Sequence, residues 1–191
     1  LRAEMAQHGD MVAIGAEDSY ANVVYKAVAV FRWGALRCGA HYVARANDDV
    51  FVRLAPMLRP LYRRPPARVY AGLMVPPGRV RVLRPHDFDA AQLAAMSAHV
   101  RAQLVPRAAY PSDTYPRFAQ GNAYVLSRDI AEAVAAVAEQ PHRKLMADDI
   151  LVGLIAAALL GPTAAADTAR GAAEGAGADG GSDGYVDWAG A

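Results

Sequence analysis

The sequence predicts an α/β domain over residues 1–160, followed by a tail over residues 161–191. Two observations support this fold class. Short runs of β-forming residues alternate with longer segments whose apolar residues recur at helical spacing, and Gly or Pro separates most of these elements. The 191 residues are enough for one domain with a sizeable core. The tail is almost entirely Ala, Gly, Asp, Ser and Thr, so we expect it to be disordered because it cannot bury enough apolar surface to offset the entropy of ordering.

The predicted strands are short runs rich in β-branched and aromatic residues, bounded by polar residues, Gly or Pro. They cover residues 11–15, 41–46, 68–75 and 121–127, with residues 79–83 as a hairpin partner for the third. The second strand runs directly into Asn47-Asp48-Asp49, and the apolar residues 50–52 follow. Acidic residues at the end of a strand, between two apolar runs, indicate a functional site.

The predicted helices carry apolar residues on one face and polar residues or glycine at their ends. They cover residues 1–8, 20–38, 53–62, 87–105, 128–139 and 148–160. Asp18 or Ser19 is the expected N-cap of the second helix and Ser127 that of the fifth, because short polar side chains accept hydrogen bonds from the free amides of a first helical turn. Residues 1–8 look like the end of a helix that begins before Leu1, so we expect the domain to be N-terminally truncated.

Composition and charge argue against several classes of function. The formal net charge is +1 and the 20 Lys and Arg residues are scattered, whereas a nucleic-acid-binding surface needs clustered cations. The single cysteine, Cys38, leaves no internal disulfide or cysteine metal cluster, and the five histidines lack the paired spacing of a zinc site. The Gly-x-Ser-x-Gly, P-loop and Gly-x-Gly-x-x-Gly patterns are absent. The longest apolar stretch, residues 150–160, is about half of what a membrane-spanning helix needs.

Asp48 and Asp49 are candidate ligands for a divalent cation. Two neighbouring carboxylates after a strand can hold Mg²⁺ or Mn²⁺, because these hard cations prefer oxygen ligands and can bridge a diphosphate. The alternative is that Asn47-Asp48-Asp49 is an ordinary polar turn, since acidic residues are common in turns. The triplet by itself does not decide between the two.

A second acidic pair, Asp148-Asp149, stands at the start of the last apolar helix. The helix dipole favours negative charge there, and an N-cap explains one of the two carboxylates. The functional alternative is that one of them projects into a site as a general base and takes a proton from a hydroxyl nucleophile. Spacing leaves both interpretations open.

Four segments occur in the order and spacing of the motifs of one enzyme family. The first is Asp-Ser-Tyr-Ala-Asn-Val-Val-Tyr-Lys, which ends at Lys26, and the second is Arg-Ala-Asn-Asp-Asp-Val-Phe-Val, which begins at Arg45. The third is Tyr-Pro-Arg-Phe-Ala-Gln-Gly-Asn-Ala-Tyr-Val-Leu-Ser, which contains Gly121 and Tyr124, and the fourth is Asp-Asp-Ile-Leu-Val-Gly, which begins at Asp148. Together they resemble glycosyltransferase family 31, the β-1,3-galactosyltransferase and N-acetylglucosaminyltransferase family.

The resemblance implies a GT-A-like fold, a mixed sheet with flanking helices, in which residues 1–160 form a partial galactosyltransferase-like domain. It implies an inverting hexosyltransferase that uses UDP-galactose or UDP-N-acetylglucosamine with Mn²⁺ or Mg²⁺, and that forms a β-linkage to a hydroxyl of a glycan or glycoprotein. It also implies a place in the Golgi lumen, with a membrane anchor outside this sequence.

The same resemblance assigns roles to individual residues. Asp149 corresponds to the general base of the family, and Asp49 with Asp48 to the metal ligands. The residues that match the nucleotide-sugar site are Lys26, Arg45, Asn47, Asp48, Asp49, Gly121 and Tyr124. The chain departs from the family pattern at Arg45, where the family has lysine, and at Asn47, where it has aspartate. The loss of one carboxylate at Asn47 favours an alternative function, a catalytically impaired domain that binds a sugar nucleotide or a partner without turnover.

Overall fold

A computed structural model of the chain describes residues 1–19, 22–137, 147–161 and 184–188. The described helices are α1 (Arg2–His8), α2 (Val23–Leu36), α3 (Leu54–Leu58), α4 (Ala90–Ala95), α5 (Ala98–Ala102), α6 (Arg128–Val137) and α7 (Asp148–Leu160). The described strands are β1 (Tyr42–Ala46), β2 (Tyr70–Val75), β3 (Phe118–Ser127) and β4 (Tyr185–Asp187). A 3-10 turn covers Pro85–Asp87. In these described ranges no helix is long and apolar enough to cross a membrane.

The four described strands form one mixed sheet in the order β1-β3-β2-β4. The long strand β3 lies between β1 and β2 and is antiparallel to both. The short strand β4 pairs parallel to β2 at the other edge. The predicted class, a mixed α/β sheet with flanking helices, is therefore confirmed.

Helices α2, α6 and α7 cover one face of the sheet. Alternation along the strands directs Tyr70, Tyr124 and Leu126 to this face, where they are fully buried among apolar side chains of the three helices. The intervening residues Ala71 and Val125 point to the opposite face and pack in a smaller cluster with Leu61, Val69 and Val186, beneath the segment that contains α3. The larger core therefore lies between the sheet and the three helices.

The long connection between β2 and β3 is organised by a buried arginine. The Arg84 side chain is only 2% exposed. Its guanidinium donates to the carbonyls of Val105 (3.0 Å), Tyr110 (2.7 Å) and Ser112. These bonds fold the connection onto a third apolar cluster that includes Ile150 in the first turn of α7. The connection thereby packs beside the start of that helix.

Close approach of α7 to β3 depends on a glycine. A Cβ at Gly153 would lie 2.5 Å from the Phe118 Cβ and 3.1 Å from the Arg117 carbonyl oxygen. Atoms that close must move apart, and the Arg117 carbonyl belongs to the backbone that leads directly into β3. Gly153 therefore sets the distance between α7 and the sheet.

Several predicted elements differ from the observed ones. Residues 11–15 do not form a strand, and the side chains of Met11, Val12 and Ile14 are exposed. Residues 79–83 contribute a single bridge, Arg81 to Thr114, rather than a hairpin strand. The predicted helix 87–105 is two short helices, because Asp89 and Ser97 each accept a hydrogen bond from the first turn of a new helix.

The ends of the predicted helices also shift. The second predicted helix begins at Val23. Its N-cap residue is Asn22 rather than the expected Asp18 or Ser19. Asp18 instead forms an ion pair with Lys26 on that helix. Residues 20–21, in the predicted helix 20–38, and residues 138–139, at the end of the predicted helix 128–139, lie outside the described residues.

The prediction of a disordered tail is wrong for its C-terminal part. Tyr185–Asp187 form β4, and Tyr185 and Val186 are buried on opposite faces of the sheet. The low hydrophobicity of the whole tail led to this error, because a strand of three residues needs only a free sheet edge and two apolar side chains. Residues 162–183 and 189–191 of the predicted tail lie outside the described residues.

We predict that Gly153→Ala lowers the free energy of unfolding by about 1–3 kcal/mol, because the added methyl group overpacks the contact between α7 and β3. Urea denaturation followed by circular dichroism measures this difference. Gly15→Ala is the matched control, since a Cβ there meets no atom within 4 Å. Equal midpoints for the two variants would contradict the close packing described here.

Candidate functional site

The Asn47-Asp48-Asp49 triplet leaves the sheet at the end of β1. The last β1–β3 pair is Ala46 with Ala123, and the Asn47 N–H then donates to the Asn122 carbonyl at 2.9 Å. The Val50 N–H reaches back to the Asn47 carbonyl at 3.4 Å, so the two aspartates lie in a tight turn. Both aspartate side chains are exposed.

A β-bulge in β3 lies directly beside this turn. Gly72 of β2 pairs with Tyr124, whereas Met74 pairs with Ala119, so the single β2 residue Leu73 faces the β3 residues 120–123. Extra residues in one strand bend it and release its backbone from the regular ladder. The bulge gives the Gly121 carbonyl a side-chain partner, the guanidinium of Arg45, whose Nη1 donates to it.

Gly121 also approaches the first turn of α7. A Cβ at this position would lie 3.1 Å from the Asp149 Oδ2, and the backbone amide of Gly121 is close enough to lower the pKa of that carboxyl group. Any larger residue would therefore push against the carboxylate. Gly121 brings the end of β1, the bulge of β3 and the start of α7 to one place.

Asp149 is a half-buried carboxylate with a raised pKa. Burial is the main cause of the increase, and the negative charge of Asp148 adds to it. Hydrogen bonds from the Ile150 N–H (2.8 Å to Oδ1) and from Gly121, together with the positive charge of Arg45, act in the opposite direction. The balance makes Asp149 a better proton acceptor near neutral pH than an ordinary exposed aspartate.

Asp148 has a different environment from its neighbour. Its side chain is buried, with Oδ2 accepting a hydrogen bond from the Tyr124 hydroxyl at 2.9 Å and lying 3.2 Å from the Arg45 Nε. The N-cap position of α7 is Ala147, which makes no side-chain cap. The capping interpretation of Asp148 is therefore wrong, because the side chain turns toward the sheet, where a cation and a hydroxyl satisfy its charge.

Arg45 and Tyr124 stand directly opposite each other in the β1–β3 ladder. Residues paired in this way project to the same face of a sheet, and the Arg45 guanidinium carbon lies 5.7 Å from the centre of the Tyr124 ring. The Tyr124 ring is fully buried and stacks on Phe31 of α2 at 5.7 Å. Burial raises the pKa of the Tyr124 hydroxyl well above its usual range, so this group acts as a hydrogen-bond donor.

The structure brings several of the predicted site residues together. Arg45, Gly121, Tyr124 and Asp149 meet around Asp148, and the Asn47-Asp48-Asp49 turn lies at the same end of β1. The contact described for the Lys26 ammonium is its ion pair with Asp18. Asp148 as a buried anchor was missed from the sequence, although Arg45 and Tyr124 on neighbouring strands were a signal for a buried acidic partner.

The donor chemistry of the exposed aspartates fits a hard divalent cation. Mg²⁺ and Mn²⁺ are often held by one or two carboxylates, with water and substrate phosphates completing the coordination. Asp48 and Asp49 supply two such carboxylates. Within the described ranges no group of three or more His, Cys, Asp or Glu residues stands close enough to hold a metal ion.

Comparison with known proteins gives consistent matches. The family model described as Galactosyltransferase matches residues 1–161. The chain is 30% identical over 155 residues to the hydroxyproline O-galactosyltransferase GALT5 of Arabidopsis thaliana, covering 81% of this chain and 21% of that protein. It is 29% identical over 141 residues to the human beta-1,3-galactosyltransferase 1, covering 72% and 38%. It is 30% identical over 159 residues to the mouse beta-1,3-galactosyltransferase 5, covering 82% and 46%.

These relatives match 72–82% of this chain, and the chain spans less than half the length of each of them. The four sequence motifs all lie within residues 1–161, which the family model matches. The family model covers well over half of the chain, and it agrees with the resemblance that the motifs indicated. The chain belongs to the galactosyltransferase family, glycosyltransferase family 31.

Proposed function

We propose that the protein transfers a hexose from a UDP-sugar to a hydroxyl group of a glycan or glycoprotein, with inversion at the anomeric carbon. The observation that carries the proposal is the half-buried Asp149, whose raised pKa suits a general base, at the same end of the sheet as the exposed Asp48-Asp49 turn. One end of the sheet thus offers a proton acceptor and a pair of cation ligands.

Asp149 would act on the acceptor. Its carboxylate takes the proton of the attacking hydroxyl, the hydroxyl oxygen forms a bond to the anomeric carbon, and the bond from that carbon to the UDP oxygen breaks. The proton ends on Asp149 and the electron pair leaves with UDP. Because attack and departure occur on opposite sides of the carbon, a single step gives a β-linked product from an α-linked donor.

Asp48 and Asp49 would hold Mn²⁺ or Mg²⁺, which when bound neutralises charge that develops on the departing diphosphate. Asn47 keeps a side-chain oxygen that can coordinate weakly and an amide NH2 group that can donate hydrogen bonds to the nucleotide, but it lacks the third negative charge of the family motif. Asp49 would therefore provide the main protein ligand, with Asp48 beside it.

The remaining nucleotide-sugar residues divide into two groups. Lys26 is exposed enough to exchange Asp18 for a phosphate, so it remains a candidate contact to the donor. Gly121 would offer close backbone approach next to Asp149. The polar groups of Arg45 and Tyr124 are engaged inside the protein, as the contacts above describe, so their part in donor binding would be indirect.

The names of the relatives favour galactose as the donated sugar, since all three proteins compared above are called galactosyltransferases. UDP-galactose is therefore the donor that we propose first, with UDP-N-acetylglucosamine second. We also propose a site of action in the Golgi lumen, on the ground of the same family membership. The alternative function, binding without turnover, is favoured by one observation, the replacement of the first aspartate of the family triplet by Asn47.

We predict that Asp149→Asn lowers kcat for sugar transfer by about 10²–10⁴-fold, because the amide cannot accept the proton of the acceptor hydroxyl. Transfer of radiolabelled galactose by the full-length gene product measures the effect. Asp113→Asn is a control aspartate on the surface, paired with Arg107. Wild-type activity in the Asp149 variant would assign the base elsewhere, and no turnover by the wild type with any tested donor would support the binding-only alternative.

We predict that kcat falls on the acid side of its pH profile at a pH above the ordinary aspartate pKa of 3.8. The sign follows from the mechanism: the base is active only when ionised, and burial beside Asp148 raises the pKa of Asp149. The profile of kcat under saturating donor and acceptor measures the limb, with circular dichroism at each pH to confirm folding. A limb at or below the ordinary value would contradict the role of this carboxylate.

We predict that Asn47→Asp lowers the Kd for Mn²⁺ by roughly 10-fold or more, because a third carboxylate adds charge to the site. Asp49→Asn is expected to have the opposite effect. Isothermal titration of Mn²⁺ in the presence of UDP measures both without requiring turnover. Unchanged Mn²⁺ affinity in both variants would remove the triplet from the metal site.

A further inference from the structure

Arg45 closes a ring of contacts around the catalytic end of the sheet. Its Nη1 donates to the Gly121 carbonyl, and its Nε pairs with the Asp148 carboxylate at 3.2 Å. The Asp149 carboxylate lies against Gly121, since a Cβ there would be 3.1 Å from its Oδ2, and Asp149 follows Asp148 in the chain, which completes the ring. Arg45 is the member of this ring that touches both β3 and α7.

The guanidinium is well suited to this geometry. It presents several N–H donors in a fixed planar fork, so one side chain can reach a carbonyl and a carboxylate in different directions. A lysine, the residue of the family motif at this position, ends in one compact ammonium. The exchange to arginine in this chain therefore adds a defined second contact, and the side chain is only 14% exposed, which keeps water from replacing it.

We infer that Arg45 is a positioning residue that fixes the Asp149 carboxylate relative to the Asn47-Asp48-Asp49 turn, rather than a residue that binds the nucleotide sugar. The inference rests on the proposed function for its catalytic meaning. Arg45 lies two residues before Asn47 on β1, and through Gly121 and Asp148 it holds Asp149 from both sides. A displacement of the base by about 1 Å is enough to cost a factor on the order of 100 in rate.

The electrostatic surroundings of Asp149 include groups from every element packed against it. Asp148 of α7 is negative, Arg45 of β1 is positive, and two buried tyrosines, Tyr70 of β2 and Tyr115 before β3, also interact with its charge. Arg45 is the cation among these named groups. Arg45 is among the groups that lower the pKa of Asp149, so its removal lets that carboxylate bind a proton at higher pH.

The test compares Arg45→Met, Arg45→Lys and the double variant Arg45→Met/Asp148→Asn in the full-length gene product. The double variant also removes the negative charge of Asp148, which would otherwise be buried without a partner. It can therefore be measured if Arg45→Met does not fold. Arg81→Met is the matched control, because the Arg81 side chain is 71% exposed and its ion pair with Asp87 involves no residue of the ring.

Two readouts separate positioning from donor binding. Steady-state kinetics with UDP-galactose is expected to show kcat reduced on the order of 10- to 100-fold in Arg45→Met and in the double variant, with the donor KM within about threefold of wild type. Arg45→Lys is expected to recover only part of kcat. A large increase in the donor KM with unchanged kcat would overturn the inference and return Arg45 to the nucleotide-sugar site.

The second readout does not depend on turnover. Carbon-13 NMR of the aspartate carboxyl groups, assigned with Asp149→Asn, follows proton uptake by the Asp148-Asp149 pair, and the amide signal of Gly121 reports the tie to β3. In Arg45→Met, Asp149 is expected to take up its proton at higher pH, and the signal of the Gly121 amide is expected to shift. Arg45→Lys is expected to keep the titration of Asp149 close to wild type, but not the Gly121 amide signal. If the titration and the Gly121 amide signal are unchanged in Arg45→Met, the inference is overturned, whether or not the wild type transfers sugar. If the wild type transfers no sugar, that result rejects only the proposed function.

Discussion

The burial of the Asp148 carboxylate is the constraint on which the site depends. An ionised carboxylate inside a protein is costly unless a cation and hydrogen-bond donors surround it. Arg45 from β1 and Tyr124 from β3 meet this requirement from one face of the sheet. Because α7 begins at Asp148, satisfying that charge also fixes where the helix starts and which way Asp149 points.

Glycine residues make the required distances attainable. Gly153 lets α7 lie against the backbone near Phe118, and Gly121 leaves room for the Asp149 carboxylate beside the bulge of β3. Gly72 plays the same part between strands, since a Cβ there would lie 2.5 Å from the Ala119 Cβ. The bulge, the helix start and the end of β1 are therefore brought together by small residues as well as by the ion pair. A mixed sheet with an irregular central strand has its least regular backbone where the chemistry is proposed.

The sequence correctly predicted the elements that are defined by their own local residue pattern. The predictions were wrong for some strands, because a strand forms only where a neighbouring strand is available to pair with it. The strand before Asn47 and the helix from Asp148 to Leu160 were correctly predicted, because apolar spacing and a polar boundary define each of them. Residues 11–15 have the composition of a strand but no partner within the described chain, and Tyr185–Asp187 have a weak signal but a free edge at β2. The role of Asp148 could not be predicted from the preferences of helix N-termini. An aspartate at the start of a helix is expected both when it caps the helix and when it is buried against the sheet.

The four acidic residues at this end of the sheet differ in exposure, and exposure is what divides their proposed roles. Asp148 is buried, and its carboxylate is paired with Arg45 and accepts a hydrogen bond from Tyr124, so it is not available to bind a substrate. Asp149 is half-buried, and its raised pKa follows from partial desolvation next to that first charge. Asp48 and Asp49 are exposed and remain open to a cation that arrives with a diphosphate. Neighbouring carboxylates separated by environment in this way can serve as anchor, base and metal ligands within one site.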